Sequence, residues 1–215
     1  MVNTNAMTGC NEIAVKASPE IDACNPPGLK CCPNNPFDQG AFPFRMSNPH
    51  NTIASGKSFR INRPGLQTAP VVFNSPHSGS NYPDSFQAQA RLDLHNLRRS
   101  EDCFVDELFS ASVAMGAPLM QADFPRAWLD LNREPYELDP DMFHDPLPGH
   151  VNTSSVRVAG GLGTIPRIVS EGEEIYAGKL DWEDAQARIQ NHYIPYHEAL
   201  RQLMADTYRR FGTAI

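Results

Sequence analysis

Two side chains in this 215-residue chain combine a reactive type with a setting suited to chemistry on a small polar substrate: His77 and Asp102. His77 follows the apolar run Val71-Val72-Phe73, which reads as a short buried strand ended by Ser75-Pro76. In open α/β sheets, ligands bind in the crevice outside strand carboxyl ends. A histidine there can ligate a metal or move a proton near neutral pH. The plainer alternative is a loop histidine bonding nearby backbone. Asp102 follows Ser100-Glu101, which looks like a helix start with acids in its first turn. The helix dipole favours an acid there whatever its function, and Glu101 competes for any role given to Asp102.

Arg126, Arg133 and Arg167 lie in strand-end or loop segments, where a guanidinium suits bidentate recognition of a carboxylate. Surface solubility or pairing with the abundant acids is the alternative. Arg133, after Asn132, has the best position of the three. Gly160-Gly161-Leu162-Gly163-Thr164 lacks the Gly-Lys-Ser/Thr ending of a phosphate loop and reads as a plain turn or a glycine-rich site loop. His192 and His197 are five apart, not the four of a zinc helix, and read as structural. Cys103 reads as a small buried hydrophobe.

The elements that must position these residues follow from pattern. A strand is expected at Ala69 to Asn74 and a short helix at Leu92 to Leu97. Phe104, Leu108, Ala111 and Met115 predict one helix with an apolar face, closed by Gly116. Leu119 to Ala122 and Ala127 to Leu131 read as strands split by Pro125. Asp139 to Asn152 reads as a loop, and Ile165 to Ser170 with Glu174 to Tyr176 as a small hairpin. From Asp181 the stripe Trp182, Ala185, Ile189, Tyr193, Tyr196, Leu200, Leu203 predicts a long helix, kinked at Pro195 and stopped by Gly212. Thr213-Ala214-Ile215 looks like the entry to a further strand.

Residues 1–65 differ in kind. Pro, Asn, Ser, Gly and Cys dominate them, and no period persists, so the expectation is a disordered tail preceding a folded domain at 66–215. Met46 suggests that this tail is translated sequence upstream of a natural start. The spacing Cys24…Cys31-Cys32 fits no usual zinc pattern. Hydrophobic residues make up 40% of the chain, enough for one domain with a core, and no run reaches transmembrane length. A net charge of −7 argues against nucleic acid or an anionic membrane as partner. Five cysteines, an odd number, do not suggest a disulfide framework, so a reduced, cytoplasmic location is expected.

Taken together, Ser75-Pro76-His77-Ser78-Gly79, Arg99-Ser100-Glu101-Asp102-Cys103-Phe104-Val105-Asp106-Glu107-Leu108-Phe109, Asp130-Leu131-Asn132-Arg133-Glu134-Pro135, Gly161-Leu162-Gly163-Thr164-Ile165-Pro166-Arg167-Ile168 and Gly178-Lys179-Leu180 resemble the N-formylglutamate amidohydrolase family, over roughly residues 69 to 215. The resemblance implies an α/β fold of three layers, α/β/α with a mixed central sheet, similar to zinc carboxypeptidases and aminoacylases. It implies hydrolysis of N-formyl-L-glutamate to formate and L-glutamate, a step of histidine breakdown, and a divalent metal, zinc (Zn2+) by expectation. His77 and Asp102 would match metal ligands. Asn132 and Arg133 would match the motif that holds a substrate carboxylate, with Arg167 as a second candidate. The resemblance also places a second histidine ligand and a general acid/base carboxylate beyond Ile215, so the chain would correspond to the front part of the enzyme. Two further readings follow: a fragment that at most binds a dicarboxylate, or a hydrolase of another N-acyl amino acid. Completion of the site within the chain would fall to His95, His144 or His150.

Overall fold

The computed structural model describes residues 58–215. The tail reading for residues 1–57 lies outside the described residues. Its last part, 58–65, belongs to the folded domain instead: Phe59–Asn62 form strand β1. Phe59 and Ile61 turn inward while Arg60 and Asn62 face out, the period of two that a half-buried strand needs. Four residues among prolines and asparagines are too few for that period to stand out in the sequence.

The sheet has three strands in the order β1-β3-β2, with β2 at Phe73–Ser75 and β3 at Leu119–Ala122. β3 is buried along its whole length, as a central strand must be. It pairs antiparallel with β1 and parallel with β2. The sheet is mixed and helices follow it in sequence, so the architecture is α/β as expected. β2 is shorter than the expected strand. Before it, the amides of Thr68 and Ala69 donate to the carbonyl of Gly116. The expected strand entry at Thr213 takes the form of Ile215 hydrogen-bonded on both sides of Val71, its amide donating to Pro70 O (2.9 Å) and its carbonyl accepting from Val72 N (2.7 Å).

Between β2 and β3 run four short helices: α1 (Asp84–Gln89), α2 (Leu94–Leu97), α3 (Val105–Leu108) and α4 (Ala111–Ala114). Asp93 caps α2 by accepting from Asn96 N. The single helix expected after Ser100 is broken into α3 and α4. Ser100 is no N-cap; it lies in a 3₁₀ turn and its hydroxyl donates to Leu97 O. Phe104, which precedes α3, is left-handed at φ 62°. The apolar stripe faces outward: Phe104, Leu108 and Met115 are 62%, 74% and 76% exposed. A helical period identifies one face, but not whether anything lies on it.

After β3 the chain mostly runs without regular structure, although it is buried. Ala127 to Leu131, expected as a strand, is a turn followed by an irregular segment, and Ala127, Leu129 and Leu131 are core residues. A short apolar run alone does not distinguish the two. The expected hairpin is reduced to a bridge between Ile168 and Glu174, while Tyr176 pairs with Ala90. Helix α5 (Val156–Ala159) starts at Ser155, whose hydroxyl accepts from Val158 N.

The long C-terminal helix is present in three pieces. α6 (Trp182–Arg188) passes through a π turn at Ile189–Tyr193 into α7 (Ile194–Phe211). Pro195 lacks the N–H that Asn191 O would accept in an unbroken α-helix, so the irregularity falls where the kink was expected. Gly212 ends α7 at φ 73°. The stripe buries Ala185, Ile189, Tyr193, Tyr196 and Leu203. Arg188 is buried among aromatic rings, with its guanidinium carbon 5.4 Å from the Trp128 ring centre and 5.9 Å from that of Tyr176. It donates to Trp128 O, Tyr176 Oη, Gln89 and Asp184. Trp128 also packs edge-on against His192, with ring centres 4.8 Å apart. Among the described residues, no helix is long and apolar enough to cross a membrane.

Candidate functional site

The loop that carries His77 is tied down residue by residue. Ser75 and Ser78 share a hydroxyl hydrogen bond across the turn. A Cβ on Gly79 would lie 2.2 Å from Phe124 O, so only glycine lets this loop lie on the backbone after β3. Asn81 N donates to Asp123 O beside it. His77 is thereby buried at the mouth of the sheet, 6% exposed.

The His77 carbonyl accepts from Asp102 N at 3.1 Å and so brings the 101–104 segment alongside. Asp102 Oδ2 stands 3.4 Å from His77 Nδ1. The neighbouring acid points away. The Glu101 side chain is buried, and its Oε2 accepts from Arg98 Nε and the Cys103 thiol. Of the two acids, Asp102 therefore faces the histidine. Cys103 is exposed, contrary to the buried role expected for it, and partial desolvation of its thiol, with the hydrogen bond to Glu101 and that residue's charge, raises its pKa. That is the wrong direction for a nucleophile.

A third acid completes the cluster, and no role for it was legible from spacing. Asp130 is 2% exposed. Its Oδ1 accepts from His77 Nε2 at 2.9 Å and from Asn132 N at 2.9 Å, and its Oδ2 from Arg126 Nη2 at 2.9 Å. Its own amide donates to Thr164 O. Burial would raise its pKa, but the His77 hydrogen bond and charge, Arg126 and the Asn132 amide together hold it down to about 2. Arg126 Nη1 also lies 4.0 Å from Asp102 Oδ1, so one guanidinium spans both carboxylates.

Arg133 sits on the same cluster, its Nη2 3.7 Å from Asp130 Oδ2. Its Nε donates to Leu162 O and its Nη1 to Asn132 O. The glycine-rich loop thus touches the site through a carbonyl, as a turn and not as an anion cradle. Asn132 is exposed beside it. Among the described residues, Arg167 makes no hydrogen bond or ion pair to the cluster; its partners lie elsewhere. Asp139 Oδ2 accepts from its Nε at 3.0 Å, Glu174 lies 3.5 Å away, and the side chain lines a separate cavity of about 200 Å³ with Arg91, Asp141 and Lys179. His150 packs on Tyr136 and Trp182, and His95 is exposed on α2. The His77 ring bonds neither of them, nor His144.

The cluster offers donors of the kind that a cation takes. If Nε2 of His77 carries the proton given to Asp130, Nδ1 presents a lone pair towards the Asp102 carboxylate. Two electron-rich atoms face each other, and a shared cation relieves that. A histidine whose other nitrogen is held by a buried carboxylate is the usual backing for a metal ligand. The donors therefore fit part of a zinc site. Among the described residues no group of three or more His, Cys, Asp or Glu is arranged to hold a metal, whereas a protein zinc site normally has at least three ligands.

Comparison with known proteins identifies the family. The N-formylglutamate amidohydrolase family model matches residues 69–215. An N-formylglutamate deformylase of Pseudomonas putida is 24% identical over 148 residues, covering 68% of this chain and 49% of that protein. The crystal structure of an N-formylglutamate amidohydrolase from Ralstonia eutropha JMP134 is 35% identical and superimposes with a TM-score of 0.67, covering 73% of this chain and 55% of that one. A gene product from Agrobacterium tumefaciens shares the fold at 18% identity, with a TM-score of 0.52 over 74% of this chain and 54% of that one. The chain spans about half the length of these relatives. Family match and fold agree, and the chain belongs to the N-formylglutamate amidohydrolase family.

Proposed function

We propose that this chain carries part of the active site for metal-dependent hydrolysis of the formamide bond of N-formyl-L-glutamate, giving formate and L-glutamate. The observation that carries the reading is His77 held between Asp102 and the buried Asp130, with Arg126 and Arg133 on the same carboxylate. His77 Nδ1 and Asp102 would hold zinc or another divalent metal. Asp130 would keep the imidazole in the ligating tautomer. When bound, the metal supplies Lewis acidity at the amide carbonyl and lowers the pKa of water, which a neutral amide needs before it can be attacked.

Arg133, with Asn132, would take a carboxylate of the substrate. Asp130, backed by Arg126, would keep that guanidinium from swinging away. Arg167, in its own cavity, is the weaker partner for a second carboxylate. The substrate class is thus a small dicarboxylate, and the setting would be histidine catabolism in the cytoplasm. A second reading has its own support: only two ligand atoms face each other among the described residues, which favours a chain that binds a dicarboxylate without turning it over.

Zinc per chain and formate release, measured on one purified sample of the full chain, separate these readings. One tightly held zinc with formate release supports hydrolysis. Glutamate binding without either leaves the dicarboxylate reading alone. Faster turnover of N-acetyl- than of N-formyl-glutamate would replace the named substrate by another N-acyl amino acid.

A further inference from the structure

The loop that carries Asn132 and Arg133 has no regular structure, yet two of its carbonyls are engaged from one side. The Tyr193 hydroxyl donates to Arg133 O, and His197 Nε2 donates to Leu131 O at 2.9 Å. The two rings also pack on each other, with centres 4.3 Å apart. Burial, with Asp130, Glu134 and Glu137 nearby, pushes the Tyr193 phenol up to about 12, so it keeps the proton it donates.

Tyr193 closes the π turn at Ile189–Tyr193, and His197 follows it in the first turn of α7. A π turn takes in an extra residue, and each helical residue corresponds to about 100° of rotation. The face presented after the turn is therefore offset from the one α6 would have projected. Tyr193 and His197 lie at and just after that offset.

The opposite side of the loop is equally committed. The Arg133 guanidinium is spread over Leu162 O, Asn132 O and the edge of Asp130. Its main chain is held by the helix and its side chain by the site.

We propose that Tyr193 and His197 are positioning residues that fix the 131–133 backbone and thereby hold the Arg133 guanidinium against Asp130, in place for a substrate carboxylate. The carboxylate part rests on the proposed function; the placement of Arg133 does not. The same chain supplies both readouts: hydrogen exchange at Arg133 Nε–H by nitrogen-15 NMR, and calorimetric Kd for N-formyl-L-glutamate with zinc present. Tyr193→Phe keeps the ring and its packing but loses the donor. His197→Leu loses the donor, and His197→Gln restores one.

In Tyr193→Phe and His197→Leu, exchange at Arg133 Nε–H rises and Kd weakens, each about tenfold, as expected for one lost hydrogen bond, while Tm falls by only about 2–4 °C and the protein stays folded. His197→Gln recovers most of both. Unchanged Arg133 exchange in a folded variant overturns the proposal. So does a rise shared by all core amides, which marks a merely structural role. Altered exchange without ligand binding by the wild-type chain supports the placement and overturns the substrate reading instead.

Discussion

Asp130 joins most of the contacts at the site, so its substitution separates charge from shape. Asp130→Asn keeps the volume but leaves the Arg126 and Arg133 guanidinium groups without their shared anion and weakens the backing of His77. Loss of such a backing carboxylate costs about 10- to 100-fold in metal affinity, which competition with a chromogenic chelator would read. Undiminished zinc affinity would show that His77 needs no such support. The acid limb of stability follows from the same residue. Its folded pKa, about 2, lies below the ordinary value of 3.8, so its contribution is complete above 3.8 and is lost as pH falls through about 2. That contribution is about 2 kcal/mol. Denaturant unfolding of wild type and Asp130→Asn should converge at the acid end. At Phe104 the left-handed backbone costs a non-glycine residue about 1 kcal/mol, and its ring is exposed. Phe104→Gly should therefore raise the denaturation midpoint; a lower one would mean the ring contributes more than the strain costs. His77 and Arg133 were legible because strand ends and loop arginines are recognisable by type and place. Asp130 was not: its importance lies in partners at positions 77, 126 and 132, which no single period connects.

The C-terminal helix joins the core to the site. Desolvation and Arg188 lower the pKa of His192, and desolvation lowers that of His197. Both histidines are therefore held neutral in the fold while the unfolded chain protonates them near pH 6.5. Below that value the unfolded state binds more protons and stability falls, levelling off only below the lowered folded values. The melting temperature should drop between pH 7 and 5, and His192→Gln should flatten the drop. An unchanged slope would place the titration elsewhere. The helix itself was legible because its stripe repeats over many turns. The π turn was not, since it changes the register without changing the residue types. The broken α3–α4 shows the reverse: a regular apolar spacing whose face is bare.

At the scale of the molecule, that face, exposed among the described residues, adjoins β2. Phe109 packs on Phe73 of β2, so the α3–α4 surface is continuous with the strand. Beyond it lie Phe104, Leu108 and Met115, all largely exposed. Exposed apolar patches promote association. Sedimentation should show concentration-dependent self-association that Leu108→Lys with Met115→Lys relieves, with no loss of helix content. If the doubly substituted chain associates as before, the contact lies on another surface. The mixed sheet was legible in part. β3 announced itself as an apolar run, while β1 carries only two inward residues and becomes recognisable as a strand through its pairing with β3.

The packing of Trp128 has a spectroscopic consequence. It is one of only two tryptophans in the chain and stands two residues before Asp130, between the Arg188 guanidinium and the His192 ring. A protonated imidazole in contact with an indole quenches its emission, whereas a neutral one does so far less. The fluorescence of Trp128 should therefore dim on acidification as His192 titrates, read in a Trp182→Phe background because Trp182 itself packs on an imidazole, that of His150. The segment that presents Asp130 thus carries its own optical gauge, which can follow ligand or metal addition without a label.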